Sequence, residues 1–149
     1  MAIHQSKQAR RRQSFTLDFN RARVLLSGAV VAKDRVASES AQTLIKRVSS
    51  YLPEDSTAVV GQAYAFADQC HIGQMRKSGE PYIAHPLETA LFLADLHLDT
   101  NTIVAALLHD VVEDCDVSLD EISQRFGSEV SKLVDGVTKL TRMDDRLQP

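Results

Sequence analysis

The sequence of 149 residues predicts an all-α fold. Three observations carry this prediction. From Ser38 onwards, apolar residues recur at the three- and four-residue spacing of an amphipathic helix. Residues that commonly cap helices stand before several of these stretches, and glycine or proline stands after them. No stretch alternates apolar and polar residues over the length of a strand, so no sheet is expected.

The first two predicted helices lie on either side of Pro53. One covers residues 38–52, keeps its apolar residues on one stripe and ends before the proline, which cannot continue a helix interior. The other covers residues 57–71 and begins after Asp55 or Ser56, either of which can cap it. Its apolar residues are dense enough for a buried helix.

The glycines of residues 72–82, together with Pro81, predict a loop. A third helix follows this loop with Pro86 in its first turn, where a proline is well tolerated. The sequence LDTN, residues 98–101, interrupts that helix. A fourth predicted helix carries residues 102–115 without a break.

The last two predicted helices follow each other closely. Ser118 and Glu121 form a capping box for a short helix, which Gly127 ends. Ser128 then caps a final helix over residues 129–140. The order of caps and stops therefore predicts short connections between successive helices.

Charge divides the chain into two parts. The whole sequence carries a formal net charge of −3, but residues 1–47 hold ten Lys or Arg against three acidic residues. We interpret residues 1–37 as a basic, weakly structured N-terminal tail and residues 38–149 as a helical domain. A solvated tail is the simplest interpretation, and a polyanion-binding arm or an organelle transit peptide is the alternative.

Composition argues against several classes of protein. No apolar run approaches the roughly 20 residues of a membrane span, and no signal peptide opens the chain, so no membrane partner is expected. Cys70 and Cys115 are too few and too far apart in sequence for a disulfide framework, which favours a reducing cytoplasm. The acidic balance after residue 47 argues against a nucleic-acid-binding surface.

The sequence LLHDVVEDC sets four ionisable side chains among apolar residues. These are His109, Asp110, Glu113 and Asp114. On one continuous helix, their spacing would place all four on the same side. A single buried histidine is usually an ordinary core residue, but converging carboxylates repel one another unless a cation compensates them. Imidazole and carboxylate are common ligands of transition metals, so a metal site is expected here.

Two nearby features extend this site. His85 opens a predicted helix and is the best candidate for a further metal ligand, although a histidine at such a position is often merely solvent-exposed. Arg76 and Lys77 precede it in the sequence RKSGE, which suits either a phosphate-binding loop or a flexible surface loop. His71 and His97 are expected to be structural. A metal, additional acids and a basic loop together indicate metal-assisted hydrolysis of a phosphate ester.

These motifs resemble the hydrolase domain of the RelA/SpoT family, the bifunctional synthetase-hydrolases of guanosine tetra- and pentaphosphate. The resemblance runs from about Tyr51 to Leu140. It includes, in order, AYAFADQCHIGQMRKSGEPYIAHPLETA, AALLHDVVEDCDVSLDEISQRFG and LVDGVTKL. The block HIGQMRKSGEPYIAHP distinguishes this family from a generic HD phosphohydrolase.

The resemblance implies an all-α domain of the HD superfamily that binds one manganese ion. The residues that match the family's metal ligands are His85, His109 and Asp110. The acidic pair needed for hydrolysis matches Glu113 and Asp114. The loop that holds the guanine nucleotide matches Arg76, Lys77 and Ser78. The implied reaction removes the 3′-pyrophosphate of guanosine tetra- or pentaphosphate and gives GDP or GTP, as part of the stringent response.

The end of the chain departs from the family pattern. The family's fourth metal ligand is an aspartate on a helix well beyond Leu140, whereas this chain stops at Pro149. Asp145, in the sequence MDDRLQP, arrives too early to replace that aspartate. We therefore expect an HD domain that is truncated at its C-terminal end and forms the N-terminal part of a longer synthetase-hydrolase. The resemblance implies that the longer protein has C-terminal domains through which it contacts the ribosome.

Two other functions stay open at this point. One is a catalytically incomplete module that binds metal or nucleotide, or serves a regulatory role, because the site has three ligands and is unfinished. The other is an HD phosphohydrolase acting on different nucleotides, although the RKSGEPY loop counts against it. Turnover of guanosine tetraphosphate would separate these possibilities.

Overall fold

The computed structural model describes the backbone of residues 31–147 and the side chains of residues 40–143. The helices along this part of the chain are α1 (Val31–Ser49), α2 (Glu54–Cys70), α3 (Ala84–Asp95), α4 (Thr100–Leu108), α5 (Val111–Asp114), α6 (Leu119–Phe126) and α7 (Ser128–Leu147). The only β-pairing within the described residues is an isolated antiparallel bridge between Met75 and Pro81. The predicted all-α fold is confirmed.

The N-terminal boundary predicted from charge falls near the edge of the described residues. Internal contacts divide the chain into two units, Met1–Asp34 and Arg35–Pro149, and every contact discussed below lies within the second. Helix α1 begins at Val31, before the predicted start at Ser38. The rest of the predicted basic tail, residues 1–30, lies outside the described residues.

Helix α2 begins earlier than predicted, because Pro53 itself stands at the N-cap. The proline has a φ of −59°, which suits entry into a helix, and its carbonyl oxygen accepts the N–H of Thr57 at 3.0 Å. Glu54 and Asp55 therefore lie in the first turn, where carboxylates interact favourably with the helix dipole. The prediction that Asp55 or Ser56 caps this helix is wrong.

The ends of α6 follow the predicted signals. The Oγ atom of Ser118 accepts the N–H of Glu121 at 3.1 Å, as in a capping box, and the Glu121 carboxylate pairs with Arg125 one turn later. Gly127 ends the helix with a positive φ of 97°, a conformation that glycine adopts without strain. Ser128, predicted as the next cap, is already the first residue of α7.

The core is built around α4, in which every residue from Ile103 to Leu108 is buried. This helix packs against α2, α3 and α7, and α6 packs against α7. Asp99 caps α4 by accepting the N–H of Thr102 at 3.3 Å. A helix that is apolar on all sides is expected to be surrounded by other helices, as α4 is. None of the described helices is long and apolar enough to cross a membrane.

The continuous helix predicted over residues 102–115 is interrupted, so this prediction is wrong. Helix α4 ends just before the pair His109–Asp110, and α5 begins just after it. The Nδ1 atom of His109 donates to the carbonyl oxygen of Ala106 at 2.6 Å. In a continuous helix that oxygen accepts the N–H of Asp110, so the histidine side chain competes with a helical hydrogen bond. The His-Asp pair therefore lies at a junction between two helices.

Candidate metal centre

His85, His109 and Asp110 converge, although they come from two separate parts of the chain. His85 lies in the first turn of α3, and the other two residues form the α4–α5 junction. The Oδ2 atom of Asp110 lies 3.1 Å from Nε2 of His109 and 3.7 Å from Nε2 of His85. One ligand atom from each residue lies within 4.8 Å of the other two. We call these three residues the triad.

Hydrogen bonds fix the ring of His109 and couple it to Asp110. Because Nδ1 donates to the carbonyl oxygen of Ala106, Nε2 faces the carboxylate. Burial disfavours the charged ring, but the hydrogen bonds to Asp110 and Ala106, together with the nearby carboxylate charges, outweigh burial and raise the pKa of His109. Burial likewise acts to raise the pKa of Asp110, but the hydrogen bond and charge of His109 prevail and lower it. The two side chains face each other at 3.1 Å, and each is only 14% exposed.

The donor set of the triad fits a divalent transition metal. Two imidazoles and a carboxylate combine the nitrogen and oxygen ligands that such metals accept. A metal-binding histidine normally donates its other ring N–H to a carbonyl or carboxylate, as His109 does to Ala106. Because Nδ1 is engaged by the carbonyl oxygen of Ala106, Nε2 of His109 faces Asp110 and is the ring nitrogen that a cation would meet. The triad could therefore hold a metal ion.

Tyr82 contacts the triad, although the sequence analysis did not single it out. Its hydroxyl donates to Oδ2 of Asp110 at 2.8 Å, and the negative charge of Asp114 also acts on this hydroxyl. Burial and the hydrogen bond to Asp110 raise the pKa of Tyr82 above its usual value. The only sequence signal that could have indicated this contact is the position of the tyrosine, three residues before His85.

Glu113 and Asp114, the predicted acidic pair, lie on α5 beside the triad. The negative charge of Glu113 contributes to the raised pKa of His109, and its Oε1 atom lies 3.6 Å from Nε of Arg142 on α7. The backbone carbonyl of Asp114 accepts a hydrogen bond from Nε2 of Gln74 at 3.1 Å. Sequence reasoning predicted neither Arg142 nor Gln74, because both contacts join distant parts of the chain.

The predicted nucleotide loop forms a tight turn between α2 and α3. The N–H of Gly79, which has a φ of 84°, donates to the carbonyl oxygen of Arg76 at 2.9 Å. The guanidinium of Arg76 lies 3.8 Å from the carboxylate of Glu88 on α3, within one turn of the triad's histidine on that helix. Lys77 and Ser78 are exposed in the turn. The structure thus brings Arg76 to the beginning of α3 and leaves Lys77 and Ser78 in solvent.

An apolar cavity of about 240 Å³ adjoins the triad between α3, α4 and α7. It is lined by Thr89, Leu93, Thr102, Ala105, Ala106, His109, Leu133 and Val137. His109 is the residue that this cavity shares with the triad. An apolar part of a ligand therefore has room beside the candidate metal position.

The remaining histidines of the described residues lie outside the triad. His71 is buried, and its ring centroid lies 4.8 Å from that of Tyr82. His97 stacks on Tyr51 with 4.5 Å between ring centroids, on an exposed turn between α3 and α4. Both therefore make aromatic contacts and contribute no atom to the triad.

Comparison with protein families identifies the class to which these helices and this triad belong. The sequence model of the HD domain matches residues 63–147, which is more than half of the chain. This match contains all three residues of the triad as well as the acidic pair. The chain therefore carries an HD domain.

The curated relatives narrow the class further. The GTP pyrophosphokinase rsh of Brucella melitensis is 50% identical over 101 residues, which are 68% of this chain and 14% of the relative. The guanosine-3′,5′-bis(diphosphate) 3′-pyrophosphohydrolase of Vibrio cholerae is 50% identical over 96 residues, 64% of this chain and 14% of the relative. The bifunctional (p)ppGpp synthase/hydrolase SpoT of Escherichia coli is 46% identical over 105 residues, 70% of this chain and 15% of the relative.

The aligned region thus spans 14–15% of the length of these three relatives. The chain belongs to the RelA/SpoT family, as a member with an HD domain. The resemblance read from the HIGQMRKSGEPYIAHP and HDVVED motifs is confirmed.

Proposed function

We propose that this chain forms a manganese-dependent hydrolase centre for guanosine tetra- and pentaphosphate. The proposed reaction adds water, releases the 3′-pyrophosphate and leaves GDP or GTP, in the N-terminal part of a bifunctional synthetase-hydrolase of the stringent response. The observation that carries the proposal is the convergence of His85, His109 and Asp110 beside two further acids. Two relatives of this chain are named for hydrolysis of the same nucleotides, which supports the choice of substrate.

In this proposal the triad binds Mn²⁺ through His85, His109 and Asp110. The bound ion supplies a Lewis acid for chemistry at the phosphate. The Nδ1 bond of His109 to a backbone carbonyl keeps its ring from turning away from the site. The triad therefore needs little rearrangement to take up a cation.

Glu113 and Asp114 handle the proton in this proposal. Glu113 removes a proton from the attacking water, and Asp114 supports the transfer of that proton towards the leaving 3′-oxygen. The bond between that oxygen and phosphorus breaks as the water oxygen attacks the phosphorus. Arg142 lies beside this general base, with its Nε atom 3.6 Å from Oε1 of Glu113.

Arg76, Lys77 and Ser78 hold the nucleotide in this proposal. Arg76 offers a planar guanidinium that can bind phosphate oxygens in pairs, and Lys77 adds a second positive charge. Acidic residues outnumber basic ones seventeen to seven after residue 47, so a polyanionic substrate needs such local positive charge. Ser78 can donate a hydrogen bond from the same turn.

The proposal also includes the cytoplasm as the compartment. Cys70 and Cys115 are both free thiols, as is usual in a reducing compartment. A contact with the ribosome is proposed only for the longer protein, and no residue of this chain is assigned to it.

The test is the release of pyrophosphate from guanosine tetraphosphate by the purified chain with Mn²⁺. We expect turnover in the wild type and a loss of about 100-fold or more in Glu113→Gln, which removes the general base. Glu129→Gln is the matched control, because Glu129 also pairs with a basic side chain on a helix surface but lies at the start of α7. Equal rates in Glu113→Gln and the wild type would contradict the assigned role.

A second candidate function is a module that binds metal and nucleotide without turnover. The observation that favours it is the number of metal ligands. The described residues supply three ligands in the triad, and this number can be enough to bind a metal ion without holding it firmly enough for hydrolysis. Calorimetry separates the two functions. Binding of Mn²⁺ and nucleotide with no release of pyrophosphate would establish the module and exclude the hydrolase for this chain.

A further inference from the structure

The side chain of Tyr82 meets the triad at a single atom, Oδ2 of Asp110. The hydroxyl donates to that oxygen at 2.8 Å, and the same oxygen faces Nε2 of His109 at 3.1 Å and Nε2 of His85 at 3.7 Å. A carboxylate oxygen has two lone pairs, so it can accept from the tyrosine and still offer a lone pair towards the histidines. Tyr82 and a cation can therefore share Oδ2 without competing.

We propose that Tyr82 is a positioning residue for the metal centre, holding the carboxylate of Asp110 in the orientation that ligates the cation. The inference rests on the proposed metal centre and adds a residue to it. Asp110 needs such a partner because it lies at the junction of two helices and its terminal torsion has no sharp rotamer preference. The tyrosine hydroxyl removes that rotational freedom.

Tyr82 is itself held in place from two directions. Its backbone N–H donates to the carbonyl oxygen of Gln74 at 3.0 Å, which fixes the end of the nucleotide loop. Its ring packs against His71, with centroids 4.8 Å apart, and stands edge-on to His85 at 6.2 Å. A side chain packed in this way can impose an orientation on Asp110, whereas a mobile side chain could not.

Gln74 connects the same support to α5. Its Oε1 atom accepts from Nδ1 of the buried His71 at 2.8 Å, and its Nε2 donates to the backbone carbonyl of Asp114 at 3.1 Å. Gln74 thus bonds to Tyr82 through its backbone and to α5 through its side chain. Gln74 therefore holds both Tyr82 and α5, the helix that follows the His-Asp pair.

The test is the affinity of Tyr82→Phe for Mn²⁺, measured by calorimetry, and the visible absorption spectrum of the Co²⁺-loaded protein. Loss of a hydrogen bond to a metal-ligating carboxylate typically costs about 10- to 100-fold in metal affinity, so we expect binding weaker by about 10-fold or more. We also expect an altered Co²⁺ spectrum, because the ligand geometry changes. A purely structural role for the hydroxyl would move neither readout.

Tyr51→Phe is the matched control. Tyr51 is also partly buried, and its hydroxyl donates to the carbonyl oxygen of Leu98 at 2.9 Å, with no contact to the triad. We expect wild-type affinity and a wild-type Co²⁺ spectrum for this variant. The melting temperatures of the two metal-free variants should fall by similar amounts, which shows that Tyr82→Phe remains folded.

The outcomes distinguish the inference from the function on which it rests. Wild-type affinity and an unchanged Co²⁺ spectrum in Tyr82→Phe would overturn the positioning role alone. If the wild type binds neither Mn²⁺ nor Co²⁺, the metal centre itself is overturned and the role of Tyr82 falls with it. Weaker binding in both tyrosine variants would also overturn the inference, because the effect would then be general.

Discussion

At the scale of single residues, His109 serves the local fold and the candidate site at the same time. Its Nδ1 atom takes the Ala106 carbonyl oxygen that a continuous helix would use, and its Nε2 atom faces Asp110. The contact therefore lies at the end of α4 and orients the ring. The residue that provides a candidate metal ligand is therefore also the residue that follows the last turn of α4.

The pKa of Asp99 depends on the hydrogen bonds by which this residue caps α4. Its carboxylate accepts the N–H of Thr102 at 3.3 Å and the hydroxyl of the same residue at 2.6 Å. The hydrogen bond from Thr102 is the main reason why the pKa of Asp99 is lowered from 3.8. Because the folded pKa is the lower one, the carboxylate stabilises the fold above pH 3.8 and loses this effect as pH falls through the folded pKa.

We expect Asp99→Ala to lower the free energy of unfolding by about 1 kcal/mol at pH 7, because α4 loses its cap. The difference from the wild type should shrink as pH falls from 3.8 through the lower pKa of the folded state, where the folded carboxylate gains its proton. Urea unfolding at pH 7 and in acid measures both values. Asp99→Asn keeps a capping oxygen and is the control, and a difference that stays constant across this range would contradict the coupling.

At the scale of helices, backbone geometry decides how two glycines affect the stability of the protein. Gly127 has a φ of 97° at the end of α6, whereas Gly136 lies within α7. A Cβ atom added at either position would meet no heavy atom within 4 Å. Packing is therefore equal at the two sites, and only the backbone conformation differs.

We expect Gly127→Ala to destabilise the protein by about 1–2 kcal/mol, because an L-residue at positive φ is strained. Gly136→Ala should stabilise it by about 0.5–1 kcal/mol, because alanine loses less entropy within a helix. Urea unfolding of the two variants side by side measures the difference. A Gly127→Ala variant as stable as the wild type would show that the turn after α6 can relax.

At the scale of the whole molecule, the packing of α3 against α4 brings the triad together. His85 belongs to the start of α3, while His109 and Asp110 follow α4 directly. The buried stretch of α4 anchors this arrangement within the core. Binding of a cation and stability of the fold are therefore linked, since the unfolded chain does not assemble the triad.

Removal of the metal should lower the melting temperature of the wild type. When free Mn²⁺ is about 100 times its Kd, binding adds about 2.7 kcal/mol to the free energy of unfolding. A chelator should remove this contribution from the wild type and have no effect on His109→Ala, which lacks a ligand. Differential scanning calorimetry with and without chelator is the measurement.

His97→Ala is the control for this experiment, because His97 is exposed and contacts Tyr51 instead of the triad. We expect its melting temperature to respond to the chelator as the wild type does. A wild-type melting temperature that does not change on chelation would mean that the triad holds no metal ion.

The sequence by itself determined the helical fold and the family. Helical period, the caps Ser118 and Gly127 and the position of Pro86 depend on residues at most a few positions apart, so they can be read directly. The same holds for the chemistry of His85, His109 and Asp110, because ligand type is a property of the residues themselves. Their common location was an inference from that chemistry and from the motifs.

Only the tertiary structure decided how these residues meet. The break between α4 and α5 occurs where the side chain of His109 bonds to the carbonyl oxygen of Ala106, and helical spacing alone predicted no such break. Tyr82 reaches Asp110 across 28 positions of sequence, and Arg142 reaches Glu113 from another helix. Contacts of this kind depend on how the helices pack, which a local pattern does not encode, because the packing is set by the whole core at once.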